Sequence, residues 1–252
     1  MPRIQFMNTQ IDNVTMQQAI ARIEELIQQR KNAYVVTPNV DHIVKLESDE
    51  TFRKIYENAD LILTDGQPLV WFSRWYKTPI VEKVSGSDLF PKLCECAAQK
   101  GYTMFFLGAA PGVAAQAAEN LKKRYPGLNV VGIYSPPRGF EHDKEELQKT
   151  IQVVKDAHPD IMVVGLGAPK QEKFMYEHRV ELGVPVSLGL GASFDFEAGT
   201  VKRAPRWMRN AGLEWMYRLI KEPRRMFKRY IVDDIEILWL VIKYWPHKKV
   251  GK

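Results

Sequence analysis

The chain has 252 residues, a formal net charge of +6, 45% apolar residues and 26% charged residues. These values are typical of a globular protein with one large domain, or one domain and an appendage, and they exclude a disordered or fibrous chain. The longest strongly apolar run, 237–242, is far shorter than the roughly 20 residues that span a bilayer.

Short β-rich runs alternate with amphipathic helical stretches through most of the chain. The predicted strands are 34–37, 61–64, 103–107, 129–134, 161–164 and 184–188. The predicted helices are 39–48, 66–76, 111–125, 142–157 and 169–182, with Pro111 in the first turn of its helix. Continuous apolar strands separated by helices predict a parallel sheet covered on both faces. We therefore predict an α/β, Rossmann-like core over residues 1–195.

The pattern changes after residue 199, where the strands stop and two helical stretches, 205–221 and 223–244, are predicted with a break at Pro223. Residues 200–252 carry a net +9, which leaves a net −3 on residues 1–199. We assign residues 196–252 to a basic helical appendage that meets a polyanionic surface or ligand.

The appendage has two stripes when it is projected at 100° per residue. The apolar stripe contains Leu213, Met216, Ile220 and Phe227, and the basic stripe contains Arg218, Lys221, Arg225 and Lys228. This pattern fits a helix that lies in a membrane interface. A helix packed on the core with a solvated charged face is the alternative. Nucleic acid is not an expected partner, because the core is acidic and contains no known nucleic-acid module.

Polar residues and glycines follow several predicted strands, at the edge where open α/β sheets bind ligands. Asp65 follows an apolar strand and precedes a glycine, so it is either a general base or the N-cap of the next helix. Thr37 and Asn39 follow the preceding strand. They either bind sugar hydroxyls or a phosphate, or form a strand-to-helix turn with Asn39 as its cap.

Two glycine-containing turns also follow strands. The turn at 165–171, with Gly165 and Gly167, suits a diphosphate, but it lacks the third glycine of G-x-G-x-x-G. The turn at Gly108 is either a second ligand turn or only a tight connection. Asp195 and Glu197 resemble a metal clamp of the D-x-D type, whereas the histidines show no ligand spacing and are interpreted as packing or surface residues.

Taken together, the ordered segments resemble the WecG/TagA/CpsF family of bacterial glycosyltransferases. The matching segments are Thr37-Pro38-Asn39, 59–66, 84–88, 106–108, 165–172, 191–195 and 203–207. The tail, at 214–215 and 223–225, is most similar to the TagA branch of the family.

The resemblance implies transfer of N-acetylmannosamine from its UDP donor to undecaprenyl-diphosphate-linked N-acetylglucosamine. This reaction inverts the anomeric centre, needs no metal or other cofactor, and forms the β-1,4-linked disaccharide of the wall teichoic acid linkage unit. N-acetylmannosaminuronic acid and glucose are the alternative donor sugars. A nucleotide-dependent dehydrogenase and a non-catalytic membrane adaptor are more distant alternatives.

The resemblance also assigns roles to residues. Asp65 is the catalytic base, and Thr37 and Gln171 position the sugar and the acceptor. The substrate-binding residues are Asn39, Lys83, Gly108, Gly165, Gly167 and Asp195, and the residues expected to bind the lipid diphosphate are Arg218, Arg225 and Lys228. Lys83 stands where the family usually has Arg, which keeps the charge but loses the bidentate fork.

We expect the protein to be cytoplasmic and bound peripherally to the anionic inner face of the cell membrane. Cys94 and Cys96 are interpreted as reduced thiols, and the amino terminus contains no apolar run typical of a secretory signal. Self-association through the apolar surface that the tail would otherwise cover is a further expectation.

Overall fold

The computed structural model describes residues 2–227 and 234–245. The strands are β1 (Arg3–Phe6), β2 (Thr9–Asp12), β3 (Ala33–Val36), β4 (Leu61–Ile62), β5 (Thr103–Gly108), β6 (Asn129–Tyr134), β7 (Ile161–Gly165) and β8 (Val186–Gly189).

The core helices are α1 (Met16–Gln29), α2 (Val40–Ser48), α3 (Glu50–Glu57), α4 (Gln67–Trp75), α5 (Gly86–Lys100), α6 (Val113–Arg124), α7 (Lys144–Ala157), α8 (Lys170–Leu182) and α9 (Ser193–Ala198), with a 3₁₀ turn at Phe140–His142. The helices of the tail are α10 (Arg206–Asn210), α11 (Glu214–Lys221), α12 (Pro223–Phe227) and α13 (Ile237–Lys243).

Six parallel strands form one sheet in the order β4-β3-β8-β7-β5-β6, and β1 and β2 form a separate antiparallel hairpin. Successive residues of a strand face opposite sides of the sheet. In β3, Tyr34 and Val36 therefore pack into one apolar cluster, whereas Ala33 and Val35 pack into the other. Because helices cover both faces, the strands are apolar throughout. The predicted α/β, Rossmann-like class is confirmed.

The predicted strands and helices of the core are present, and most differences are shifts of element ends. One prediction was wrong in detail. The helix placed at 111–125 begins at Val113 after Gly112, whose φ is +83°, so Pro111 is not in its first turn. The hairpin and helices α1, α3 and α9 were not predicted, and no bounds were predicted for α5, although α1 begins with a capping box formed by Thr15 and Gln18. Cys94 and Cys96 are both free thiols.

The tail contains shorter helices than predicted. The stretch predicted as one helix, 205–221, divides into α10 and α11 around Gly212, whose φ of +74° interrupts a right-handed helix. The stretch 223–244 contains α12 and α13, and residues 228–233 between them lie outside the described part of the chain.

The last helix of the tail packs on the core. Ile237, Leu240 and Val241 of α13 are buried in the same apolar cluster as the hairpin and one face of the sheet. At the end of α13, the Tyr244 hydroxyl donates to the Glu47 carboxylate of α2 at 3.0 Å. Within residues 2–227 and 234–245, no helix combines the length and the apolar character needed to cross a membrane. The domain boundary at residues 195–196 stays a prediction.

Candidate active site

A cleft of about 560 Å³ opens beyond the carboxyl ends of β3, β4 and β8. In the sheet, β3 lies between β4 and β8, so segments that are distant in the chain meet at this edge. Open α/β sheets bind ligands outside the carboxyl ends of their strands. The predicted site residues that line the cleft are Thr37, Asn39, Asp65, Lys83, Gly167, Gln171 and Arg218.

Three predicted residues are not among those that line the cleft, and two of them have packing roles. Gly108 and Gly165 face each other across the β5–β7 pair, where a Cβ on Gly108 would lie 2.6 Å from the Gly165 carbonyl oxygen. A Cβ on Gly165 would lie 2.6 Å from the Phe194 ring. The third, Asp195, has its carboxylate 3.4 Å from the Thr200 hydroxyl, which donates to it.

Two of the predicted diphosphate-binding residues are not described in full. The backbone of Arg225 belongs to α12, but its side chain lies outside the described part of the chain, and so does the whole of Lys228.

The Asp65 carboxylate lies in the wall of the cleft and is half-buried. The Asp65 backbone N–H donates to the Pro38 carbonyl at 2.8 Å and joins the ends of β3 and β4. The alternative role as a helix cap is wrong, because α4 begins after Gly66 and no side chain caps it. Burial raises the pKa of Asp65, Lys83 counteracts that rise, and the negative charge of Glu214 adds to it.

Asp88, at the start of α5, gathers three cations beside the cleft. Its carboxylate lies 2.9 Å from Arg203, 3.5 Å from Arg209 and 3.6 Å from Lys83. Burial alone would raise the pKa of Asp88, but the hydrogen bond from Ser85 and the charges of Arg203 and Lys83 outweigh burial and hold the pKa below its usual value. The ion pairs of Asp88 thus attach the start of the tail to the core.

Lys83, Arg209 and Arg218 line the cleft and are named its cationic wall, although the carboxylates of Asp41, Glu214 and Asp234 line it too. The Nε atoms of Arg209 and Arg218 are buried and have no hydrogen-bond partner among the described residues. Buried guanidinium donors without partners suit a phosphate ligand, which accepts several charge-assisted hydrogen bonds. The sequence prediction missed Arg209, since nothing local distinguishes it from the other basic residues of the tail.

Thr37 and Gln171 converge on Gly189 at the end of β8. The Thr37 hydroxyl donates to the Gly189 carbonyl at 3.1 Å, so it faces the cleft as an acceptor. A Cβ at Gly189 would lie 3.0 Å from Gln171 Nε2, which explains the need for a small residue there. The two predicted positioning residues, far apart in sequence, are therefore neighbours.

Asn39 caps α2 and also lines the cleft, so the capping role left open from the sequence is confirmed. The Asn39 side chain caps α2 by accepting the His42 backbone N–H. His42, interpreted from the sequence as a packing or surface residue, is buried and lies 3.4 Å from the buried Glu172 carboxylate. The sequence prediction gave Glu172 no role. The only sequence signal for a role of Glu172 was its position directly after Gln171, a predicted site residue.

Asp195 and Glu197 do not form a clamp. Glu197 pairs with Arg124 at 2.9 Å, while Asp195 accepts from Thr200. Among residues 2–227 and 234–245, no group of three or more His, Cys, Asp or Glu is placed to hold a metal ion. Metal independence stays a prediction.

A half-buried carboxylate in a cleft that cationic side chains also line, at the carboxyl ends of the strands of an α/β sheet, suits an enzyme with an anionic substrate. Comparison with known families defines the class. Residues 4–251 match the family described as "Glycosyl transferase WecG/TagA/CpsF family", and the chain belongs to this family. The protein is therefore a glycosyltransferase.

Curated relatives narrow the comparison. A Bacillus spizizenii protein named N-acetylglucosaminyldiphosphoundecaprenol N-acetyl-beta-D-mannosaminyltransferase is 37% identical over 79% of this chain and 75% of its own length. A Bacillus subtilis protein of the same name is 35% identical over the same shares. A Staphylococcus aureus protein of that name is 28% identical over 89% of this chain and 87% of its own length.

Proposed function

We propose that this chain transfers N-acetylmannosamine from UDP-N-acetylmannosamine to undecaprenyl-diphosphate-linked N-acetylglucosamine, with inversion and a β-1,4 linkage, to begin the linkage unit of wall teichoic acid. The names of the three relatives support the sugar and the acceptor. The observation that carries the proposal is the half-buried Asp65 carboxylate in a cleft that Lys83, Arg209 and Arg218 also line.

In the proposed reaction, Asp65 takes the proton from the acceptor hydroxyl as that oxygen attacks the anomeric carbon of the donor. The new carbon–oxygen bond forms as the bond between the sugar and the diphosphate breaks, and UDP leaves with the bonding electrons. A carboxylate whose pKa is raised by burial binds this proton more strongly than an exposed one, provided that it is ionised at the start.

The cationic wall supplies the charge for the departing UDP. Lys83, Arg209 and Arg218 line the same cleft as Asp65. Hydrogen bonds from such groups strengthen as negative charge develops on the diphosphate, which lowers the barrier. We propose that these side chains act in place of a metal ion. Thr37 and Gln171, as acceptors, would orient sugar hydroxyl or amide groups.

The proposed acceptor is anchored in a bilayer, so the cleft must face the membrane. The tail supports this orientation, because α10 and α11 contribute Arg209, Trp215 and Arg218 to the cleft wall while other tail residues, among them Ile220 and Phe227, are exposed. We propose peripheral binding at the cytoplasmic face of the membrane.

The test is release of UDP when purified protein is mixed with a UDP-sugar and a short-chain analogue of the lipid acceptor. We expect release with UDP-N-acetylmannosamine and much less with UDP-glucose or the uronic acid donor. Preference for another UDP-sugar would replace the donor assignment. Release of no UDP with any donor, or thermal stabilisation by NAD instead of UDP, would contradict the proposal and favour an adaptor or a dehydrogenase.

The catalytic base is tested by Asp65→Asn. We expect transfer to fall by about 10²–10⁴-fold, because the amide cannot accept the proton. The fold should be more stable near pH 7, since a carboxyl whose pKa is raised in the folded state destabilises that state once it is ionised. This gain should vanish at a pH below the unfolded pKa of about 3.9.

Kinetics and thermal unfolding of this variant are compared with those of Asp156→Asn, an exposed carboxylate on α7. Full activity of Asp65→Asn would remove Asp65 as the base.

A further inference from the structure

Two amide side chains of the cleft, Asn39 and Gln171, are joined to each other through the buried side chains of His42 and Glu172. Glu172 is fully buried, and its Oε1 lies 2.8 Å from Gln171 Nε2 and 3.4 Å from His42 Nε2. On the other side of the imidazole, His42 Nδ1 lies 2.8 Å from Asn39 Oδ1. The two amides are therefore the ends of one hydrogen-bonded chain.

These hydrogen bonds determine which atom of each side-chain amide, the oxygen or the nitrogen, is left for a ligand. A carboxylate accepts hydrogen bonds, so Gln171 directs its NH₂ group to Glu172, and its Oε1 is buried without a partner among the described residues. Asn39 Oδ1 accepts the His42 backbone N–H at 3.4 Å, and a backbone N–H only donates. Of the two residues, which both line the cleft, Gln171 is therefore left with an acceptor, Oε1, and Asn39 with a donor, Nδ2.

The imidazole holds this arrangement in place. Its Nδ1 carries a proton, because it lies 2.8 Å from a carbonyl oxygen. That contact is shorter than the 3.4 Å contact in which Nδ1 would accept from the Asn39 backbone N–H, so it decides the tautomer. On its other side the ring faces Glu172, with His42 Nε2 3.4 Å from Glu172 Oε1, so the imidazole is held between the amide and the carboxylate.

We propose that Glu172 and His42 are positioning residues, and that the acceptor and donor they define on Gln171 and Asn39 recognise a secondary amide, the acetamido group of an N-acetylhexosamine. The amide N–H would donate to Gln171 Oε1, and the amide carbonyl would accept from Asn39 Nδ2. This inference rests on the proposed function, in which both donor and acceptor sugars carry an acetamido group. The acetamido group is the same in the two sugars, and the experiment below distinguishes recognition of the donor sugar from recognition of the acceptor sugar.

Hexoses that carry a hydroxyl in place of the acetamido group cannot satisfy both ends of this pair. Gln171 is only 4% exposed, so water is a poor substitute for the amide N–H that its oxygen would lose. Sites built to hydrogen-bond a substrate group reject analogues that lack the group. These hydrogen bonds thus predict sugar discrimination that depends on His42, which lines the cleft, and on Glu172, which is not among its lining residues.

The experiment measures kcat/KM in two arms. The donor arm compares UDP-N-acetylmannosamine with UDP-mannose, and the acceptor arm compares diphosphate-linked N-acetylglucosamine with diphosphate-linked glucose. An analogue that is not turned over is compared by its inhibition constant. We expect the wild type to prefer the acetamido ligand by about tenfold or more in one arm.

Glu172→Gln should reduce that preference to about threefold or less in the same arm, because the new amide can donate to Gln171 and let it turn its NH₂ group to the cleft. The matched control is Glu181→Gln on the same helix, whose carboxylate lies 3.6 Å from His178 and does not line the cleft. It should keep the wild-type preference.

An unchanged preference in Glu172→Gln, or no preference of the wild type in either arm, would overturn the inference. If Glu172→Gln does not fold, Gln171→Met decides, since it removes the acceptor and keeps the size of the side chain. Retention of the preference by that variant overturns the inference as well. If the wild type transfers no N-acetylhexosamine at all, the proposed function itself is wrong, and this outcome is distinct from a loss of sugar preference.

Discussion

At the scale of single residues, the protonation of Asp65 depends on the balance between burial and nearby charges. Burial raises the pKa of Asp65, and Lys83 is the cation that most opposes that rise. Lys83 is itself held 3.6 Å from Asp88, which also binds Arg203 and Arg209. The acid–base behaviour of Asp65 is thus linked to the residues that attach the tail.

This balance predicts a pH effect. In Lys83→Met the counteracting charge is lost, so the pKa of Asp65 rises further and the acid limb of the pH profile of kcat/KM moves to higher pH. Activity should therefore fall at a pH where the wild type is still active. The measurement is kcat/KM over a series of pH values with the same UDP-sugar and acceptor.

Lys83→Arg is the matched control, because it keeps the positive charge and should leave the acid limb in place. A limb that stays unmoved in Lys83→Met, or that moves equally in both variants, would contradict this account of the Asp65 environment.

At the scale of elements, the tail is divided between two tasks. The helix α13 is packed on the core through Ile237, Leu240 and Val241. Helix α11, in contrast, buries none of its residues and contributes Arg218 to the cleft wall. One part of the tail therefore stabilises the fold, while another part shapes the site.

The packing of α13 predicts a difference between two leucines of the same helix. Leu240 is fully buried, so Leu240→Ala should lower the free energy of unfolding by about 2–5 kcal/mol. Leu238 is 58% exposed, and Leu238→Ala should change it by about 0.5 kcal/mol or less. Urea unfolding measures both. Equal effects would mean that α13 does not pack as described.

At the scale of the whole molecule, charge and exposed apolar side chains occupy the same part of the chain. Exposed large apolar residues of the tail include Trp207, Ile220, Phe227, Leu238, Trp239, Ile242 and Trp245. Trp75 of α4 extends this surface, since its ring centroid lies 6.3 Å from that of Trp245. Aromatic and basic residues together favour a membrane interface. Self-association stays a prediction.

Membrane binding is tested with vesicles that contain phosphatidylglycerol. The double variant Leu238→Ser with Ile242→Ser removes two exposed apolar side chains from α13 and should weaken partitioning by about tenfold or more. Added salt should weaken binding of the wild type, because it screens the basic residues. Activity on a soluble acceptor should persist.

The control is Val180→Ser, which changes a 76% exposed apolar residue of α8 outside the tail. Equal partitioning of the wild type, this control and the double variant would show that α13 does not meet the bilayer.

Much of the candidate site could be predicted because its residues carry local signals. Thr37, Asn39 and Asp65 directly follow apolar strands, and polar residues at those positions face the ligand edge of an α/β sheet. Arg209 and His42 carry no such signal. Arg209 is one of fourteen basic residues of the tail. His42 contacts Glu172, which is 130 residues away in the sequence.

The sequence by itself determined the α/β class, the polar residues at the strand ends and the basic carboxyl-terminal tail, because each depends on neighbours in the chain. Only the tertiary structure decided the strand order. It places β8 beside β3, so Gln171 meets Thr37 at Gly189, and it leaves Gly108 on β5 outside the cleft. Strand order depends on contacts between distant segments, which no local pattern records. The same contacts bring Arg209 and Arg218 of the tail to the cleft.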